Sequence, residues 1–132
     1  MLCVLDTNIF VAALSATSSE HWVIERLINE DFDLCISHEI LLEYEEVLVY
    51  KYGLDVAHNF LRALEELPNV TKAEVYFQWN LLKDPDDNKF VDAAVASGAS
   101  YIVSEDKDFR VLLQIEFPKV TLLRLADFKA VF

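Results

Sequence analysis

The chain has 132 residues, enough for one domain, and 54% of them are hydrophobic, so it buries a core and is not disordered. Its net charge of −12 speaks against a basic nucleic-acid-binding face, and no apolar run approaches the ~20 residues of a membrane-spanning helix. Cys3 and Cys35 each sit in an apolar run and read as buried thiols of a reducing cytosol, and nothing reads as a signal peptide.

Leu2–Leu5 is a continuous apolar run that stops at Asp6, the pattern of a strand buried on both faces in a parallel sheet. Thr7–Leu14 reads as a helix, and a second helix over about 20–30 turns Trp22, Val23, Leu27 and Ile28 to the core. Asp33–Ile36 reads as the next strand. Ser37 caps a helix to Tyr52 that Gly53 can end. Another helix spans 56–67, closed by Pro68. Val70–Phe77 is rich in β-formers and predicts an edge strand. The turn Asp84-Pro-Asp-Asp-Asn88 leads into a helix from Asp87 to Ser97. Tyr101–Ser104 is a strand, Asp106–Leu113 a short helix, Val120–Leu123 a last strand and Ala126–Phe132 a terminal helix. This alternation predicts a single α/β domain over 1–132, a three-layer α/β/α sandwich with a mainly parallel sheet.

Three strand-to-helix junctions carry polar groups: Asp6-Thr-Asn8, Ser37-His-Glu39 and Ser104-Glu-Asp106. In a parallel sheet these junctions share the edge where ligands bind, which brings Asp6 and Asp106 together. On the 87–97 helix, Phe90, Val91, Ala94 and Val95 form the apolar stripe at 3.6 residues per turn. Asp87 falls in line with that stripe, Asp86 to the side, and Asp92 points away. On the helix after Ser37, Glu43 and Glu45 flank the core face on opposite sides, and periodicity does not choose between them.

Taken together, Leu5-Asp-Thr-Asn-Ile-Phe10, the Leu41-Leu-Glu-Tyr44 block before Val47-Leu48, Asp84-Pro-Asp-Asp-Asn-Lys-Phe90 and Ile102-Val-Ser-Glu-Asp-Lys-Asp-Phe109 closely resemble the PIN-domain (PilT N-terminal) nucleases, most of all the VapC-like toxins of toxin–antitoxin pairs. The resemblance implies a ribonuclease using Mg²⁺ or Mn²⁺, with Asp6, Glu43, Asp87 and Asp106 as its acids and Asp108 as an auxiliary ligand. It thereby chooses Glu43 over Glu45. Thr7, Asn8 and Ser104 would orient carboxylates or phosphate, and Lys89, Lys107 and Arg110 would stand near the RNA backbone. An antitoxin partner is implied too, and exposed aromatics around residues 44–60 would suit a homodimer. Where relatives often carry Thr, alone or paired with Gly or Arg, before the fourth acid, this chain has Ser104-Glu105, so Glu105 would add charge beside the site.

Carboxylate oxygens suit Mg²⁺ or Mn²⁺, whereas zinc would call for clustered His or Cys, and His21, His38 and His58 form no such set. A dehalogenase-like phosphatase needs a second acid two residues after Asp6, where Asn8 stands. A receiver domain needs an acid pair near the end of the first strand, which is absent. The remaining rival is a PIN-like binding module that is non-catalytic or inhibited by a partner.

Overall fold

In the computed structural model, which describes residues 1–132, Leu2–Leu5 forms β1, the middle strand of a five-stranded sheet. The others are β2 (Asp33–Ile36), β3 (Val70–Lys72), β4 (Tyr101–Val103) and β5 (Leu122–Leu123), in the order β3-β2-β1-β4-β5. Every pairing is parallel, with Cys3 beside Leu34 on one side and Tyr101 on the other. The expected "mainly parallel" sheet is wholly so. Cys3, Val4 and Leu5 are fully buried, as a central parallel strand requires.

The helices are α1 (Thr7–Leu14), α2 (Trp22–Ile28), α3 (His38–Tyr52), α4 (Leu54–Glu66), α5 (Asn88–Ser97) and α6 (Leu125–Ala130). Two 3-10 stretches, Pro85–Asp87 and Lys107–Gln114, precede α5 and follow β4. The chain steps one way across the sheet from β1 to β3 and then crosses back to β4 and β5. Right-handed crossovers therefore put α1–α4 on one face and α5 on the other. The contacts agree: α1 meets α2 and α3, α3 meets α4, and α5 packs on β1, β2 and β4.

Several caps follow from sequence. Ser37 Oγ accepts the Ile40 N–H at 3.2 Å, and Gly98 ends α5 in the left-handed region at φ 68°. Asn69 ties α2 to β2 by donating Nδ2 to the carbonyls of Leu27 (2.9 Å) and Phe32 (2.7 Å). Both cysteines are buried and free, and burial pushes the Cys3 thiol up to about 12. No helix is long and apolar enough to cross a membrane.

Some expectations fail. Only Val70–Lys72 of the 70–77 segment is a strand; the β-formers beyond it lie past the end of β2 and find no neighbour. Val120 and Thr121 precede the paired residues of β5. Ile28, expected inward, is 58% exposed. Asp92, expected to point away, is buried and accepts the Trp79 N–H at 3.0 Å, because the chain after β3 folds over that flank of α5.

Candidate metal centre

Asp6 stands where β1 ends. Its own N–H still bonds to the sheet, donating to Val103 O at 3.0 Å. Its side chain is fixed twice: Oδ1 accepts the Thr7 N–H at 2.8 Å and Oδ2 accepts the Ser104 hydroxyl at 2.8 Å. Ser104 Oγ in turn accepts the Asp106 N–H at 3.0 Å, so one hydroxyl joins the ends of β1 and β4. Behind Asp6, Tyr44 Oη donates to the Leu5 carbonyl at 2.6 Å, and the Tyr44 ring stacks on Phe10 at 4.2 Å. Tyr44 is thus more than a core residue; a tyrosine in an otherwise aliphatic stripe was the signal for a buried hydroxyl contact.

Across the sheet edge, Asp87, Asp106 and Asp108 bring one carboxylate oxygen each within 4.8 Å of one another. Asp87 closes the 3-10 turn before α5 with its side chain free of any cap bond, and Asp106 caps the next 3-10 helix by accepting the Asp108 N–H at 2.9 Å. Burial raises the carboxyl of Asp87 to about 6, helped by the charges of Asp84, Asp6, Asp106 and Glu43. Asp6 is also raised, first by burial and then by Asp106 and Glu43, against the lowering effect of its bonds from Ser104 and Thr7. Acids held this way repel one another, and a hard divalent cation with oxygen ligands fits such a donor set.

Glu43 reaches the same edge from α3. Thr7 Oγ1 donates to Oε2, and Lys89 Nζ donates to Oε1 at 2.8 Å. Glu45 lies on the other flank, 3.7 Å from His58 of α4. Lys89 is therefore engaged by a carboxylate rather than free for a phosphate. Asn8 is exposed and makes no hydrogen bond to the acids; Thr7 and Ser104 do the orienting. Lys107 and Arg110 are exposed beside Asp106 and Asp108. Glu105 is drawn off to the far side of β4, where it accepts the Leu125 N–H at 2.7 Å and the Arg124 Nε–H at 2.9 Å. Those contacts lower its carboxyl, so its charge is answered outside the cluster. The histidines form no cluster: His21 bonds to Ala13 O, and His58 lies by Glu45.

This geometry has a counterpart among known sequences. A family model described as the PIN domain matches residues 3–108, from within β1 to the last of these acids. The chain belongs to the PIN-domain family. This PIN domain also shares its fold with solved structures of low identity. The VapBC2 complex of Rickettsia felis bound to a promoter DNA fragment matches at 18% identity and TM-score 0.67, over 94% of this chain and 98% of that one. VapBC-1 of nontypeable Haemophilus influenzae matches at 14% and 0.62, over 94% and 98%. VapC20 of Mycobacterium tuberculosis, a toxin that cleaves the sarcin-ricin loop, matches at 17% and 0.60, over 81% and 92%. No curated protein matches the sequence.

Proposed function

We propose that this PIN domain is an Mg²⁺- or Mn²⁺-dependent endoribonuclease, the toxin of a toxin–antitoxin pair, acting in the cytoplasm on single-stranded or structured RNA. The observation that carries the reading is the convergence of Asp87, Asp106 and Asp108 within 4.8 Å beside the doubly anchored Asp6. Asp6, Asp87 and Asp106 would hold the cation, with Asp108 in support. A bound divalent ion supplies charge neutralisation at the phosphate and activates a water. The chain's own part is positioning. Ser104 and Thr7 fix the Asp6 carboxylate, while Lys89 and Thr7 hold Glu43 at the edge. Exposed Lys107 and Arg110 are placed to meet the RNA backbone.

Antitoxin pairing is supported by the VapBC complexes among the similar folds and by the −12 charge, which suits a basic partner. Exposed Tyr50, Leu54 and Val56 at the α3–α4 corner support a homodimer face. Incubation of single-stranded RNA with Mn²⁺ or Mg²⁺ tests the activity. Cleavage is expected, and Asp6→Asn should reduce it about a hundredfold or more, which corresponds to ~2.7 kcal/mol. Cation binding without cleavage would favour the rival, a metal-holding module that does not cut. Neither binding nor cleavage would defeat both.

A further inference from the structure

Of the ion pairs in the fold, only Lys89–Glu43 has both side chains mostly buried, at 15% and 22% exposure. Every other pair has a partner well exposed to solvent. Lys89 stands in the first turn of α5 and reaches across the sheet edge to α3, where its Nζ donates to Glu43 Oε1 at 2.8 Å. From α1, Thr7 Oγ1 donates to the other oxygen, Oε2. Both oxygens of Glu43 therefore face a donor of this chain. Lys89 is also the single base in the wall of a hollow of about 250 Å³ that carries Glu39, Glu43, Glu46 and Asp86.

A buried pair is weak evidence for stability, because the desolvation of two charges offsets most of their attraction. The place of this one points to another role. Asp87, two residues before Lys89, converges with Asp106 and Asp108, and Glu43 is not in that trio. Two-ion phosphodiester sites set their cations about 3.5–4 Å apart, and each ion needs oxygens of its own. The trio, with Asp6 beside it, supplies oxygens for one ion. A second ion would draw on Glu43, and at Oε1 it would meet the ammonium of Lys89, a compact point charge with three donors.

We propose that Lys89 is a built-in substitute for a second divalent cation. Its ammonium answers the Glu43 carboxylate, so the centre takes one Mg²⁺ or Mn²⁺ and Glu43 stays outside that ion's ligands. Lys89 is thus a positioning residue: acting through Glu43, it sets how many ions the cluster takes. Unlike a second ion, its charge is present at every metal concentration. The proposal rests on the cluster's reading as a metal centre and not on cleavage.

Mn²⁺ itself is the probe, with the full chain and no RNA. Equilibrium dialysis should find one ion per chain, and electron paramagnetic resonance should show an isolated Mn²⁺. Lys89→Met keeps the stem and removes the ammonium. It should take two ions, the second within about tenfold of the first in affinity, and its spectrum should show the two coupled to each other. Lys89→Arg keeps the charge and should hold one ion, as wild type does. Circular dichroism checks folding. If Lys89→Met does not fold, the paired variant Lys89→Met/Glu43→Gln, which removes both charges, decides. It should bind one ion within about threefold of wild type, whereas a larger loss would make Glu43 a ligand and overturn the proposal. Two ions or none in wild type, one in Lys89→Met, or two in Lys89→Arg would each overturn it as well. A chain that holds one Mn²⁺ and cuts no RNA leaves it standing while the nuclease reading fails; a chain that cuts RNA with two ions bound overturns it alone.

Discussion

Asp87→Asn separates the electrostatics of the cluster from its packing. The side chain makes no cap bond, so the amide loses no hydrogen bond and removes only the charge. In the folded chain the Asp87 carboxyl is raised from its ordinary 3.8 to about 6, by burial first and then by Asp84, Asp6, Asp106 and Glu43. Between those values the native state holds more protons than the unfolded chain. Metal-free stability therefore falls as pH rises through this window and levels off above it. The shift corresponds to at most about 3 kcal/mol, and with the side chain half open to solvent on the order of 1 kcal/mol is expected. Asp87→Asn should thus raise the melting temperature in chelator at pH 7 by roughly 3–5 °C and change it little near pH 4. With Mg²⁺ or Mn²⁺ the order should reverse. A cation at a hundred times its dissociation constant stabilises the wild type by ~2.7 kcal/mol, and the variant should lose most of that gain. Calorimetry across pH, with and without cation, measures both effects. A variant no more stable than wild type at pH 7, or one stabilised equally by the cation, would refute the reasoning.

Tyr44→Phe removes the hydroxyl that donates to the Leu5 carbonyl and should cost about 1–1.5 kcal/mol in urea unfolding. Asn69→Ala strands the buried carbonyls of Leu27 and Phe32 and should cost about 2–3 kcal/mol by the same assay. Glu105→Gln should lower stability by about 0.5–1 kcal/mol, since it weakens the contacts to Leu125 and Arg124, while leaving RNA cleavage unchanged. Because those contacts depress the Glu105 carboxyl, the wild-type advantage should be present at neutral pH and fade as the pH drops below the ordinary glutamate range.

The architecture was legible because a buried parallel strand and an amphipathic helix leave unlike periods. β1, α3 and α5 follow from Leu2–Leu5, from Ile40, Tyr44 and Leu48, and from Phe90, Val91 and Ala94. Asp6 and Asp106 stand at one edge, joined through the Ser104 hydroxyl, because parallel strands share that edge, and helix phase points Asp87 toward it. Phase says nothing of what lies on the other flank, so it places Asp92 outward although the segment after β3 covers it. Lys89 and Glu43 are far apart in the chain, and no local pattern could pair them. The choice of Glu43 over Glu45 came from family resemblance; in the structure, Thr7 and Lys89 meet Glu43 while Glu45 lies near His58. The short reach of β3 was hidden because β-propensity reports the side chain and not whether a neighbouring strand extends far enough.

The central place of β1 bears on how the protein is made. β1 pairs with β2 soon after it is made, but its other edge waits for β4, and Ser104 reaches Asp6 only across 98 residues. Loops of that length close slowly, and contacts across them are late events in folding. A nascent chain that has cleared the ribosome only to α4 holds Asp6 and Glu43 without Asp87, Asp106 or the serine that anchors the first of them. Completion of the acidic cluster is thus tied to synthesis through Asp108, and a chain that stops before α5 lacks the convergence of Asp87, Asp106 and Asp108.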